Sequence, residues 1–227
     1  MNRNSALVAA LVIPAHAFAA GLADLSNRDA VAGLKEALSR GSEAAVSRLG
    51  VENGFFGNDR VKIPLPESLK KTEKMMHSFG MGRQADELVL RMNRAAETAV
   101  PEAKALLVGA VKAMSVQDAK GILAGGDDAA TQYFKRTTSG PLTQRFLPIV
   151  RTAMERVKLA QAYDEFAGHG ARLGLVKQED AKLDGYITRK ALDGLFLVIA
   201  EEERKIRRDP MGAASDLIRK VFGAIGR

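Results

Sequence analysis

Along almost all of this chain the apolar residues recur three or four positions apart. No run of four to eight residues alternates apolar with polar as a half-buried strand requires. The one extended-looking stretch, Val61-Lys62-Ile63-Pro64-Leu65-Pro66, carries two prolines, which the interior of a sheet does not accept. A chain patterned in this way buries apolar surface through helices that cover one another. The expected fold is all-α, and its glycines, prolines and capping residues divide it into about eight to nine helices.

Ser26 opens a helix over 27–49 with Val31, Leu34, Leu38, Ala45, Val46 and Leu49 on one face and Asp29 near its positive end. Residues 50–66 read as a loop. Phe55 and Phe56 within it are expected to fold back onto the helices, since burying an aromatic ring contributes about 2 kcal/mol. Pro66 starts a second helix, carrying Leu69, Met76 and Phe79, that Gly80 and Gly82 stop. A third covers 83–99, and Val100-Pro101 marks a break or kink before 101–113. Ser115 with Asp118 opens a short helix that ends at Gly125-Gly126. The next is capped by Asp127 or Asp128 and closes near Thr137-Thr138. Ser139-Gly140-Pro141 then starts the longest helix, reaching Phe166 with a kink at Pro148. A last pair, over 186–207 and 211–224, is divided by Asp209-Pro210. No internal repeat and no long polar linker interrupts the pattern, so residues 20–227 are expected to form a single compact all-helical domain.

The first residues carry a different signal. Arg3 gives a positive start, Ala6 to Ile13 form a short apolar run, Pro14 breaks it, and Ala17-Phe18-Ala19 places small side chains where a signal peptidase needs them. Residues 1–19 are expected to be a signal peptide cleaved after Ala19, with Ala17 as the second choice. The run is far shorter than the ~20 residues that cross a bilayer, and Pro14 argues against a buried N-terminal helix. Removal takes one arginine from a formal charge of +7. The chain has no Cys, which excludes disulfides, Cys-ligated zinc, iron–sulfur clusters, thiol nucleophiles and lipid attachment of the lipoprotein kind. The expectation is a soluble periplasmic protein and not an integral membrane protein. The longest later apolar run, Leu195 to Ala200, stops at Glu201-Glu202-Glu203.

Four segments carry a resemblance: Leu65-Pro66-Glu67, Asn93-Arg94-Ala95-Ala96-Glu97, the stretch from Gly121 through Gly125-Gly126-Asp127-Asp128 to Phe134, and Ala191-Leu192-Asp193-Gly194-Leu195-Phe196. Together they resemble the bacterial domain-of-unknown-function family 4197 over about residues 22–224. The resemblance implies an exported helical protein of Gram-negative type, and it implies no reaction, ligand or catalytic residue.

The sharpest local feature is Gly125-Gly126-Asp127-Asp128, followed within ten residues by Thr131, Tyr133, Lys135 and Arg136. One reading is a polar pocket in which Asp127 or Asp128 acts as a base or cation ligand while Tyr133 or Arg136 orients a ligand. The other is that the glycines, free to take positive φ, end one helix and Asp127 caps the next, which needs no ligand. Asn93, Arg94 and Glu97 share one helical stripe. Asp193 falls among core positions, either half-buried against a cation such as Arg94 or on the solvent edge. Candidate ligand-binding residues are therefore Asp127, Asp128, Thr131, Tyr133, Arg136, Asn93, Arg94 and Asp193.

No metal and no cofactor is expected. Glu73 to His77 and Glu165 to His169 are each one residue longer than the Glu-x-x-His spacing of dinuclear bundle sites, and surface ion pairs account for them. No Ca²⁺ loop, serine-hydrolase elbow or Gly-rich phosphate loop occurs. Basic residues cluster at Lys70, Lys71 and Lys74, at Arg145, Arg151 and Arg156, at Arg204, Lys205, Arg207 and Arg208, and at Arg219 and Lys220, with poor aromatic interleaving. That pattern does not suit nucleic acid. It reads either as a solvated, ion-paired face or as a surface for anionic envelope components. The expected function is non-enzymatic binding of an envelope component, another envelope protein or a small apolar ligand in a groove between helices, through residues 121–138 and an adjoining basic face. The rivals are an enzyme built on the Gly-Gly-Asp-Asp turn and an assembly scaffold.

Overall fold

The computed structural model describes residues 26–67, 78, 82–155, 157, 160, 161, 164, 182–213 and 215–225. Among them stand seven α-helices, two short 3-10 turns and no strand. The helices are α1 (Asn27–Leu49), α2 (Gly82–Ala99), α3 (Ala103–Ala113), α4 (Val116–Ala124), α5 (Ala129–Met154), α6 (Leu183–Arg208) and α7 (Asp216–Ile225). None of the described helices is long and apolar enough to cross a membrane. Residues 1–19, and most of the helix expected from Pro66, lie outside the described residues.

Local capping chemistry sets the ends that were easiest to foresee. The Ser26 hydroxyl accepts from the Asp29 amide at 3.0 Å, and the Gly50 amide closes α1 on the Val46 carbonyl. At α4, Ser115 and Asp118 exchange both bonds of a capping box. The Ser115 hydroxyl and amide hold the Asp118 carboxyl below its usual pKa, with Arg136 adding to the effect. Pro101 sits in a 3-10 turn, Val100–Glu102, between α2 and α3, where a ring without an N–H is tolerated. Asp209 accepts from the Gly212 amide to close the second turn, Pro210–Gly212, so α7 starts at Asp216 and not at 211.

Among the described residues seven helices stand against the eight to nine expected: most of the helix from Pro66 lies outside them, and 128–138 and 139–154 are one helix, not two. Ser139-Gly140-Pro141 passes through the middle of α5 without ending it, and Pro148 lies inside the same helix. An interior proline costs about 3 kcal/mol, and burial on both sides offsets it. Ala130, Phe134, Thr138, Leu142, Phe146, Val150 and Met154 are all buried, at a strict spacing of four. Four residues exceed one 3.6-residue turn, so the stripe winds slowly round α5 and forms an i±4 ridge that crosses its neighbours at an angle.

That ridge packs on α6, α2 and α3, while α1 packs on α6, α3, α4 and α7. The result is one contiguous apolar core that reaches from Leu34 through Phe134 and Leu195 to Phe222. The expected fold class therefore stands as all-helical, built on one core. Of the two loop aromatics, Phe55 is fully buried, and a Cβ on Gly194 would meet its ring at 2.7 Å. Phe56 departs from expectation. It is only half-buried, with the Lys62 ammonium 4.3 Å above its ring.

Candidate functional site

The Gly-Gly-Asp-Asp turn joins α4 to α5, and its chemistry is divided between inside and outside. Neither glycine takes a positive φ; a Cβ on Gly125 would meet the Ala129 Cβ at 2.6 Å, whereas Gly126 faces open space. Close approach explains Gly125, and conformational freedom is not what the turn uses. Asp127 and Asp128 are both exposed. Contrary to the capping expectation, Asp128 occupies the N-cap position of α5 without a side-chain cap bond, and its carboxylate accepts instead from Gln132 at 2.8 Å.

The cap of α5 comes from a distant helix. Glu203 of α6 accepts from the Ala130 amide at 2.9 Å, the Thr131 amide at 2.9 Å and the Thr131 hydroxyl at 2.9 Å. Its carboxylate lies at the positive end of the α5 dipole. Arg207, one turn along α6, binds the same carboxylate at 3.0 Å and donates to the Ile122 carbonyl at 2.8 Å, near the end of α4. Both side chains are nearly buried. One ion pair thus holds the end of α4 and the start of α5 against α6. Glu203 was missed because Glu201-Glu202-Glu203 looks like a solvated run. The readable signal was phase, for Glu203 lies four residues after buried Ile199.

Tyr133 is buried and donates to the Ala110 carbonyl of α3 at 2.8 Å. Burial and the Asp118 charge raise its pKa, so the phenol stays protonated and serves as a donor. Arg136 lies over the Tyr133 ring and reaches Asp118 at 3.7 Å. The segment therefore turns Thr131 and Tyr133 inward while Asp127, Asp128 and Arg136 face solvent. The small cavity that Glu203 lines, between Leu38, Phe134, Ile199 and Phe222, is about 20 Å³, room for a single water. None of Asp127, Asp128, Thr131, Tyr133 and Arg136 lines it. Asp127→Ala and Asp128→Ala are each expected to lower stability by under ~1 kcal/mol, the range for a charge near a helix N-terminus. A larger loss in urea unfolding would show that one of them caps α5 after all.

The Asn93, Arg94 and Glu97 stripe forms a second cluster, and its work is to hold residues 51–66. Asn93 is fully buried; its Oδ1 accepts from the Ile63 amide at 2.8 Å, and its Nδ2 donates to the Ile63 carbonyl at 2.9 Å and the Val89 carbonyl at 2.7 Å. Glu97 accepts from the Phe55 and Phe56 amides, each at 3.0 Å. Arg94 binds Glu97 at 2.6 Å and also reaches Glu52 and Asn53, the latter with a φ of 66°. Arg60 and Arg48 converge on Glu201, and the Tyr186 hydroxyl donates to the Pro64 carbonyl.

Asp193 takes the solvent-edge alternative. It is exposed, lies 4.0 Å from Lys190, and does not meet Arg94. Of the basic residues, Arg151 pairs with Asp184, Lys220 with Asp29, Arg219 with Asp216 and Arg207 with Glu203. Arg145, Arg204, Lys205 and Arg208 make no ion pair among the described residues. Among those residues no group of three His, Asp or Glu could hold a metal ion. The two histidine spacings, Lys70, Lys71, Lys74 and Arg156 fall outside them.

Neither curated proteins nor solved structures gave a match to this chain. A family model described as a protein of unknown function, DUF4197, matches residues 24–223, nearly its whole length, and the chain belongs to that family.

Proposed function

We propose that the protein is exported to the periplasm, with cleavage after Ala19, and acts there as a non-catalytic binding protein for an anionic envelope component. The observation that supports this reading most directly is the division of polar groups around the Gly-Gly-Asp-Asp turn. Thr131 and Tyr133 are spent on internal bonds, so no acid–base partner shares a space with Asp127 or Asp128. What stays outside is charge. Over 129–154, α5 carries Lys135, Arg136, Arg145 and Arg151 and no acidic residue. Asp118 and Asp184 neutralise Arg136 and Arg151 from other elements, leaving Lys135 and Arg145 as the uncompensated cations of this helix. Asp127 and Asp128, exposed just before α5, would restrict the orientation of an anionic partner that approaches Lys135 and Arg136.

Two experiments test the reading. Edman or mass-spectrometric analysis of protein recovered from a periplasmic extract is expected to show an N-terminus at Ala20; an intact Met1 overturns cleavage, and confinement of the protein to the cytoplasmic fraction overturns export. Sedimentation with vesicles containing anionic lipid or lipopolysaccharide is expected to capture the protein at low salt and to release it as ionic strength rises. The triple variant Lys135→Glu, Arg136→Glu, Arg145→Glu is expected to weaken capture at least ~10-fold, as reversal of rim charges slows and destabilises encounter. Equal capture of wild type and variant removes the proposal's support.

A further inference from the structure

An open cleft of about 220 Å³ lies between α1, the C-terminal half of α6, the Pro210–Gly212 turn and α7. It shares no residue with segment 121–138. Its wall is apolar where Ala44, Ile206 and Ile218 meet, and its rim is charged. Two of the rim charges are already committed, Arg40 to Glu36 at 2.9 Å and Asp209 to the Gly212 amide at 3.0 Å. The other two, Glu202 and Lys205, are not. They stand three residues apart on α6, a spacing at which opposite charges commonly pair on a helix surface. Yet they make no ion pair or hydrogen bond with each other or with any other described residue. The cleft therefore presents one carboxylate and one ammonium, neither with a partner among the described residues, above an aliphatic wall.

Gly41 lines the same cleft. It sits in the middle of α1, where glycine costs about 1 kcal/mol relative to alanine. A Cβ there would meet only the Glu202 Cβ, at an ordinary 3.6 Å, so helix packing does not demand glycine. The contrast is with Gly33 of the same helix, where a Cβ would approach Val221 to 2.6 Å. Gly41 leaves the space beside Glu202 open, as Gly109, Gly121 and Gly140 leave space open on α3, α4 and α5. At about 220 Å³, against about 20 Å³ for the single-water cavity beside Glu203, the cleft has room for a ligand larger than a few waters.

From the paired free charges, the aliphatic wall and the glycine that keeps it open, we propose that this cleft binds a free α-amino acid with an aliphatic side chain. Glu202 takes the ligand ammonium, Lys205 takes its carboxylate, and the side chain lies against Ala44, Ile206 and Ile218. This goes beyond the anion-binding reading, and its failure leaves that reading untouched because the two use different residues and different probes.

The test is calorimetric titration of the full chain with L-leucine, N-acetyl-leucine and leucinamide. Saturable binding of L-leucine is expected, with each blocked analogue weaker by ~2–5-fold because it leaves one solvent-accessible rim charge without its partner. Glu202→Lys and Lys205→Glu, both at solvent-accessible positions, are each expected to weaken L-leucine to the same degree. Gly41→Leu is expected to abolish binding without lowering the thermal midpoint. Absence of saturable binding at ~10 mM ligand, or equal affinity for leucine and both blocked analogues, overturns the proposal. So does unchanged binding in the three variants, which would put the ligand elsewhere.

Discussion

Glu203→Ala is expected to lower the stability of this protein by ~3–5 kcal/mol, the loss typical when one partner of a buried ion pair is removed. The carboxylate accepts from two backbone amides, a hydroxyl and a guanidinium. Its removal leaves Ala130 and Thr131 amides without an acceptor at the start of a 26-residue helix and strands Arg207, whose side chain is only 9% exposed. At a urea m-value of ~2 kcal/mol per M, the midpoint is expected to fall by ~2 M. Replacing the pair together, with Glu203→Leu and Arg207→Met, is expected to recover only part of this. The stranded cation is then gone, but the two amides of α5 still lack an acceptor. A loss below ~1 kcal/mol for Glu203→Ala would show that water or another acceptor caps α5.

The second large effect belongs to Asn93→Ala. Asn93 reads both backbone groups of Ile63, as a neighbouring strand would, and it does so from a fully buried position. Without it the Ile63 N–H and C=O are left unpaired beside the core, and each such group costs ~1–3 kcal/mol, for a total of ~2–6 kcal/mol. Asn93→Asp is expected to fare no better. It keeps the acceptor but puts a carboxylate oxygen where the amide now donates to the Ile63 and Val89 carbonyls. The discriminating measurement is hydrogen exchange, in which the Ile63 amide should lose protection locally beyond the global destabilisation. Retained protection at Ile63 in the alanine variant would show that Asn93 is not what holds the extended segment.

These two residues also show what kind of information was legible. The stripe of Asn93, Arg94 and Glu97 could be recognised from helical spacing, but its partner could not, because that partner is backbone at residues 55, 56 and 63. Backbone groups carry no sequence signature. The Ser26 and Ser115 caps were legible for the opposite reason, since donor and acceptor there lie within three residues. The break expected at Ser139-Gly140-Pro141 was wrong because the local cost of proline was weighed without the burial of Leu142 and Phe146, both fully inside the core. Asp193 illustrates phase within an apolar run. Its neighbours Leu192 and Gly194 are buried while it points out, since positions one apart on a helix diverge by 100°.

By itself the sequence determined the all-helical class, most helix starts and the family, because periodicity, capping and short motifs act over a few residues and are written where they act. Only the tertiary structure decided that α5 is one helix, that Glu203 and not Asp127 or Asp128 caps it, and that Asn93 and Glu97 pin an extended segment. Each of those outcomes depends on groups brought together from 30 to 73 positions apart. At that range the competition between desolvation and hydrogen bonding is settled by which surfaces the core brings into contact, and no local pattern records that choice.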